Sequence, residues 1–123
     1  MRRQQSVRMT TSSLQAGTAR VRGVFQRLGK TGTNPELENI AGILEFDVDR
    51  VGSWQVSIKH GAISVSEGAP KAADCILYSD EEEFLRIVSG KDSIVTAMLR
   101  GELKFSGNLA VGLAVRRLFP IDS

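Results

Sequence analysis

The sequence predicts an α+β fold, a five-stranded, mainly antiparallel sheet with helices packed on one face. Two patterns support this prediction. Between residues 44 and 65, apolar and polar residues alternate, which is typical of strands with one buried face and one wet face. After residue 79, apolar residues recur at helical spacing instead. Because these helices follow the strands rather than alternate with them, we expect the helices on one side of the sheet.

The first thirty residues divide into a polar tail and an amphipathic helix. Residues 1–13 contain almost no apolar residue and predict a disordered basic tail, followed by the folded domain over residues 14–123. The helix begins at Leu14 and ends near Gly29. We expect it to lie on the sheet, and a second interpretation places residues 14–30 on an anionic membrane surface. The apolar face of this helix carries Val21, Val24, Phe25 and Leu28.

The alternating region predicts a small sheet. A loop over residues 31–37 comes first, then three strands joined by short turns, and then a fourth strand that ends at Tyr78. The turn at His60 and Gly61 is short enough for a hairpin. These short connections predict an antiparallel meander. The residues on its dry face are Phe46, Val48, Trp54, Val56, Ile58, Ile63 and Val65.

A short amphipathic helix is predicted after the sheet. Ser79 and Glu82 have capping-box spacing, in which each side chain bonds a free backbone amide at the helix start. The apolar residues of this helix fall on one face. We therefore expect the opposite face to be solvated, and it carries Glu81, Glu82, Glu83 and Arg86.

A second helix, a strand and a third helix complete the chain. Asp92 is the predicted N-cap of the second helix, which ends at Gly101. Leu103 and Phe105 alternate with polar residues and predict a fifth strand. Asn108 is the predicted N-cap of a continuous helix over the rest of the apolar run. That helix is apolar on most sides, so we expect it to be buried on most sides.

Composition limits the class of protein. The chain has 123 residues, of which 41% are hydrophobic and 24% charged, and this predicts one globular domain. Residues 1–30 carry seven basic residues and no acidic one, whereas the remainder is net acidic, so we expect no nucleic-acid partner. The single cysteine, Cys75, fits a reducing compartment and predicts a cytoplasmic protein. The basic, acid-free start also fits a mitochondrial presequence, which is the second hypothesis for localisation.

The sequence holds no constellation suited to catalysis. His60 is the only histidine and lies in a predicted turn, while Cys75 lies in an apolar strand and is predicted to be a buried structural thiol. There is no nucleophile motif and no cysteine–histidine cluster suited to zinc. We therefore predict a binding protein, not an enzyme, with no cofactor and no metal.

Several short motifs occur in an order that resembles a known family. They are Gly-x-Trp-x-Val-x-Ile at residues 52–58, Ala-Asp-Cys at 73–75, Glu-Glu-Phe-Leu at 82–85, Ser-Gly-Lys at 89–91, and the run from Gly101 to Asn108 before the apolar helix. In this order they resemble the sterol carrier protein type two lipid-transfer domain, over roughly residues 40–119. The resemblance implies an apolar tunnel between the helices and the sheet for sterols, fatty acids, acyl-CoA or phospholipids. It implies no catalytic residues.

The predicted function is therefore binding and transfer of lipid. Burial of an alkyl chain contributes roughly 0.8 kcal/mol per methylene, so no specific polar contact is essential. Arg116, Arg117 and Lys104 are either solvated charges or contacts for an anionic head group near the mouth. The alternative function is a protein-interaction or accessory module of the same fold, for example in quinone or lipid biosynthesis, with a closed cavity. The predicted ligand-binding residues are Trp54, Phe84, Val88, Ile94, Met98, Leu103, Phe105, Leu109, Leu113 and Phe119.

Overall fold

A computed structural model of the chain describes the backbone of residues 2–119 and the side chains of residues 17–119. No helix within these residues is both long and apolar enough to cross a membrane. A short 3-10 helix, Pro35–Leu37, lies inside the predicted loop. The other elements, in chain order, are α1 (Arg2–Thr31), β1 (Ala41–Val48), β2 (Gly52–Lys59), β3 (Ala62–Glu67), β4 (Cys75–Ser79), α2 (Glu81–Val88), α3 (Ile94–Leu99), β5 (Lys104–Gly107), α4 (Leu109–Gly112) and α5 (Val115–Leu118).

The five strands form one sheet in the order β3-β2-β1-β4-β5, which confirms the predicted α+β class. Three of the neighbouring pairs are antiparallel. The predicted meander is wrong for β4, which pairs in parallel with β1, with Leu44 opposite Cys75. Alternation shows that a segment has a buried face, but it does not identify the neighbouring strand.

The outer face of the sheet is less wet than its polar sequence predicts. Glu45 and Gln55 are buried on that face. The Gln55 side-chain nitrogen donates to Glu45 Oε1 at 2.9 Å and to the carbonyl oxygen of Lys71 at 2.6 Å, and the Lys71 amide donates to Gln55 Oε1 at 3.2 Å. The β3–β4 connection therefore covers this part of the sheet and satisfies its buried polar groups.

Helix α1 lies on the inner face of the sheet, as the first interpretation predicted. The four residues of its apolar face, Val21, Val24, Phe25 and Leu28, are at most 4% exposed. Their burial leaves the helix's polar side for any membrane contact, and a membrane contact of residues 14–30 stays a prediction. The backbone of α1 begins at Arg2, before the predicted helix start at Leu14. The side chains of residues 1–13 lie outside the described residues, and the division into a tail and a folded domain at residue 13 also stays a prediction.

An aromatic cluster fills the space between α1, the sheet and α2. The ring of Phe25 stacks on Trp54 at a centroid distance of 5.1 Å and on Phe84 at 5.4 Å. The ring of Phe46 meets Phe84 edge-on at 5.7 Å and Phe119 at 6.2 Å. These five residues are called the aromatic cluster below. It joins the N-terminal helix to the end of the apolar run through one packed core.

The N-caps of α2 and α3 each lie one residue beyond the predicted position. Asp80, not Ser79, caps α2 by accepting the Glu83 amide at 2.8 Å, and Ser93, not Asp92, caps α3 by accepting the Thr96 amide at 3.0 Å. Both caps are of the predicted chemical type.

The turn into the final apolar run explains the glycine and asparagine in the Gly101–Asn108 motif. Gly107 has φ +95°, and a Cβ there would clash with the carbonyl oxygen of Asp74, so the position requires glycine. Asn108 caps the next helix by accepting the Ala110 amide at 2.9 Å, as predicted. The continuous helix predicted after it is wrong: α4 and α5 are separate four-residue helices. A helical pattern of burial does not require unbroken helical hydrogen bonding.

Candidate functional site: two clefts along helix α2

Two clefts of similar size flank helix α2. The first cleft has a volume of about 590 Å³ and the second cleft about 630 Å³. They meet at Glu82 and Leu85, which line both. The first cleft is otherwise lined by Val24, Arg27, Arg86, Val88, Ser89, Lys91 and Phe119, and the second by Arg20, Asp49, Arg50, Val51, Asp80 and Glu81.

The floor of the first cleft is continuous with the core. Val24, Val88 and Phe119 line it and are at most 7% exposed. Phe119 also belongs to the aromatic cluster, through its contact with Phe46. Phe119 thus lies between the first cleft and the other rings of the aromatic cluster. The structure shows this cleft at the surface and does not directly show the predicted enclosed tunnel.

The rim of the first cleft is basic. Arg86 bonds Glu82 at 3.2 Å on the same helix. Arg27 and Lys91 form no ion pair with any residue between 17 and 119. The rim thus offers two cations, Arg27 from α1 and Lys91 from the α2–α3 connection, that are available to an anionic group.

The second cleft has the opposite character. Asp49, Asp80 and Glu81 line it in addition to the shared Glu82. Of its two cations, Arg20 already pairs with Glu81, and Arg50 lies among these four acidic residues. Only two of its lining residues are apolar, Val51 and the shared Leu85. An anionic or apolar ligand therefore gains less in the second cleft than in the first.

The structure distributes the predicted ligand-binding residues over several places. Val88 and Phe119 line the first cleft, and Phe119 also separates it from a small cleft of about 170 Å³ that Ile94 lines. Leu113 lines another cleft, beside Arg116 and Arg117. The buried core holds Trp54, Phe84 and Leu103; Met98 and Leu109 are half-buried, and Phe105 is 42% exposed on β5. The lining as a set stays a prediction.

Sequence reasoning assigned no ligand contact to seven of the nine residues that line the first cleft. Val24 was assigned only to the contact of α1 with the sheet, and Leu85 only to the apolar face of α2. Arg27 and Lys91 are exposed cations in sequence neighbourhoods that resemble ordinary surface. Arg27 and Lys91 lie at the same cleft because α1 packs beside α2. No local sequence pattern predicts that packing.

A cluster of three carboxyl groups lies behind the first cleft. Oxygens of Glu83, Asp92 and Glu102 lie within 4.8 Å of one another, beside Arg86 and Arg100. The prediction that Glu83 faces water is wrong, because its side chain is only 2% exposed. Burial, together with hydrogen bonds to Asp92 and Glu102, raises the pKa of Glu83 to about 7. The same hydrogen bonds from Glu83 lower the pKa values of Asp92 and Glu102.

Cys75 has the environment predicted for a structural thiol. It is fully buried on β4, and Gly112 packs against its sulfur. Burial raises the pKa of the Cys75 thiol, which disfavours the reactive thiolate.

The family model described as the SCP-2 sterol transfer family matches residues 24–120. The match covers most of the chain, so this chain belongs to the family. The family assignment confirms the resemblance seen in the ordered motifs.

Individual relatives agree with this assignment. Human "Sterol carrier protein 2" is 30% identical over 87 residues, which cover 67% of this chain and 16% of the relative. The chain thus spans about a sixth of that relative's length. A solved structure of sterol carrier protein 2 from Yarrowia lipolytica has a TM-score of 0.63 at 21% identity, covering 77% of this chain and 85% of its own. The "UbiJ-SCP2 Ubiquinone synthesis protein" has a TM-score of 0.57 at 17% identity, covering 80% and 90%. These two structures show the same fold.

Proposed function

We propose that this chain binds and transfers a lipid, with the alkyl chain entering through the first cleft toward the aromatic cluster. One observation carries the proposal: the first cleft combines a buried apolar floor with two cations that form no ion pair within residues 17–119. Membership of the SCP-2 sterol transfer family supports lipid as the ligand class.

The size and lining of the first cleft suit one alkyl chain. Its volume of about 590 Å³ lies within the ordinary range for small-molecule sites, about 300 to 1,000 Å³. Each buried methylene contributes roughly 0.8 kcal/mol before the cost of ordering the ligand. Because this free energy does not depend on directed bonds, the length and width of the cleft determine which alkyl chains bind.

Arg27 and Lys91 favour a lipid with an anionic head. They lie at the rim, where a carboxylate or phosphate would stay close to water while its tail is buried. Arg116 and Arg117 line another cleft and Lys104 a further one, so the predicted head-group contacts are at other sites than this rim. We therefore propose fatty acids and other single-chain anionic lipids ahead of uncharged sterols.

The protein acts as a carrier without chemistry of its own in this proposal. His60 is exposed in the β2–β3 turn and the Cys75 thiol is buried, so neither reaches the first cleft. A longer protein containing such a domain could pair it with an enzymatic domain. Cytoplasmic localisation also remains a prediction.

An accessory or protein-interaction module is the second candidate function. The packed aromatic cluster favours it, because five large rings occupy the space in which the family resemblance implied a tunnel. The structural similarity to the ubiquinone synthesis protein is compatible with the same alternative. The two candidates differ in whether lipid can displace any part of this packing.

A pair of matched bulky variants tests the lipid proposal. Ser89 and Asp49 are both exposed, and each lines only one of the two clefts along α2. Delipidated protein is titrated with a fluorescent fatty acid. We expect saturable uptake by the wild type and by Asp49→Trp, and at least about a tenfold loss of affinity for Ser89→Trp.

Circular dichroism of each variant confirms that the fold is retained. Absence of saturable uptake by the wild type, together with no lipid in native mass spectra of the purified protein, would favour the accessory module. Loss of uptake in Asp49→Trp but not in Ser89→Trp would place the lipid in the second cleft and would contradict the proposal.

A further inference from the structure

The cluster of Glu83, Asp92 and Glu102, called the carboxyl cluster below, connects the two ends of α3 to α2. Glu83 lies on α2, Asp92 lies just before α3, and Glu102 follows it. Arg100, at the C-terminal end of α3, bonds both Asp92 and Glu102. The residues around α3 are therefore held by polar contacts at both helix ends.

The charges within the carboxyl cluster do not balance if every group is ionised. Three carboxylates would face two guanidinium groups, those of Arg86 and Arg100. Arg86 bonds Glu83 Oε1 at 3.0 Å and Glu102 Oε2 at 3.4 Å. One uncompensated negative charge would remain, and its least solvated position is Glu83.

One oxygen of Glu83 has no hydrogen-bond donor. Glu83 Oε2 is buried, and no group among the described residues donates to it. An ionised carboxylate there would leave a desolvated charged oxygen, which is costly. A neutral carboxylic acid supplies an O–H donor instead, and acceptor oxygens of Asp92 and Glu102 lie within 4.8 Å.

We propose that the carboxyl cluster shares one proton, held mainly on Glu83, and that this proton clamps α3 against α2. Loss of the proton places three like charges together and weakens the clamp. The charged groups that face Glu83 are Arg86 from its own helix and Asp92, Arg100 and Glu102 from the segments around α3. Glu82 is connected to the carboxyl cluster only through its ion pair with Arg86.

The raised pKa of Glu83 determines how the stability of the folded protein changes with pH. Its pKa is about 7 in the folded protein, against an ordinary value of 4.5. Between these values the folded state binds more protons than the unfolded state, so stability falls as pH rises. Above the folded pKa the loss is complete and stability no longer depends on this group.

The clamp lies close to the proposed lipid site. Arg86 is shared between the carboxyl cluster and the first cleft, and Asp92 lines the small cleft beside Phe119. We expect release of the proton to loosen the wall formed by α2 and the α2–α3 connection. The proton site itself does not depend on the lipid proposal.

A matched pair of variants on one helix tests the shared proton. Glu83→Gln retains an N–H donor and mimics the neutral acid, whereas Glu82→Gln changes an exposed carboxyl group that also bonds Arg86. The wild-type reference and both variants carry His60→Gln, so that the one histidine does not contribute to the pH dependence of stability. From about pH 5.5 to about pH 8, we expect the melting temperature to fall by at least about 5 °C for the wild type and Glu82→Gln, and by less than half of that for Glu83→Gln.

Carbon-13 NMR of the side-chain carboxyl groups measures the proton directly, even if a variant folds poorly. The proposal predicts that the Glu83 signal titrates near neutral pH and that the Asp92 and Glu102 signals respond at the same midpoint. Titration of Glu83 below about pH 5, near an ordinary glutamate, would overturn it. Stabilisation of the wild type by Ca²⁺ or Mg²⁺ at about pH 8, abolished by Glu83→Gln, would overturn it in favour of a cation site.

Discussion

The first and second clefts have nearly equal volumes, about 590 and 630 Å³, but different chemistry. The first is floored by side chains of the packed core and bordered by the cations Arg27 and Lys91, which have no ion-pair partner in the part of the chain that the structure describes. The second lies over the ends of strands and helices and is lined by four acidic residues. Volume alone would rank the second cleft ahead of the first.

On the proposed function, the continuity of a cleft with the core is expected to matter more for binding than its size. A ligand in the first cleft can exchange contacts with the aromatic cluster, since Phe119 belongs to both. A ligand in the second cleft meets mainly charged side chains of both signs. We therefore expect substitutions in the floor of the first cleft to change both stability and uptake, substitutions at its rim to change uptake, and substitutions at the second cleft to change neither strongly.

The largest expected effect comes from the aromatic cluster beneath the first cleft. Phe25→Ala removes a ring that stacks on Trp54 and Phe84, and we expect it to lower the free energy of unfolding by about 3 to 5 kcal/mol. Phe105→Ala, at a 42% exposed ring, is the control and is expected to cost less than about 1 kcal/mol. Urea denaturation measures both. Similar losses in the two variants would show that the aromatic cluster is not the core of the domain.

Two valine substitutions compare the clefts directly. Val88 lines the first cleft and is 7% exposed, whereas Val51 lines the second and is only half-buried. We expect Val88→Ala to lower the free energy of unfolding by about 2 kcal/mol and Val51→Ala by less than about 1 kcal/mol. Only Val88→Ala should also change fatty-acid affinity. A larger effect of Val51→Ala on either quantity would reverse the proposed difference.

The cations of the first cleft should act on the lipid head alone. In the double variant Arg27→Gln/Lys91→Gln, we expect affinity for a fatty acid to fall about tenfold, or about 1.4 kcal/mol, at low salt. Affinity for the fatty alcohol of the same length should not change. Arg50→Gln at the second cleft is the control. Equal losses for acid and alcohol would indicate damage to the floor instead of loss of a head-group contact.

The smallest effect is expected at the ion pair beside the second cleft. Arg20, which is 60% exposed, pairs with Glu81 and links α1 to α2. Because exposed pairs contribute little, we expect Arg20→Gln to lower the free energy of unfolding by less than about 1 kcal/mol, with unchanged lipid uptake. Thermal denaturation and the fatty-acid titration measure these two quantities. A marked loss of uptake would mean that the second cleft takes part in binding.

Much of the fold could be predicted because its signals are local. Alternation identified the strands, and Gly101 and Asn108 marked a helix end and a helix start for reasons that hold within a few residues. The parallel pairing of β1 with β4 could not be predicted in this way. It depends on the path of the β3–β4 connection across the sheet, which Gln55 holds through Lys71.

The candidate site was less predictable because its parts come from distant segments. Glu83 occupies a helical position that is polar in pattern, and it becomes buried only when the segments carrying Asp92 and Glu102 pack against it. Arg27 and Val24 join Lys91 at one cleft through the packing of α1 beside α2. The ordered motifs predicted a lipid-binding domain, but they did not predict that α1 would form one wall of a cleft.

Fluorescence of the single tryptophan tests the central claim most directly. Trp54 is 2% exposed and stacks on Phe25 within the aromatic cluster, while the cations lie at the cleft rim. Fatty acids brominated near the methyl end or near the carboxylate are added to delipidated protein. We predict strong quenching of Trp54 by the first and weak quenching by the second, because the tail approaches the cluster while the head stays at the rim. Saturable binding of both without quenching by either would contradict entry of the alkyl chain into the core.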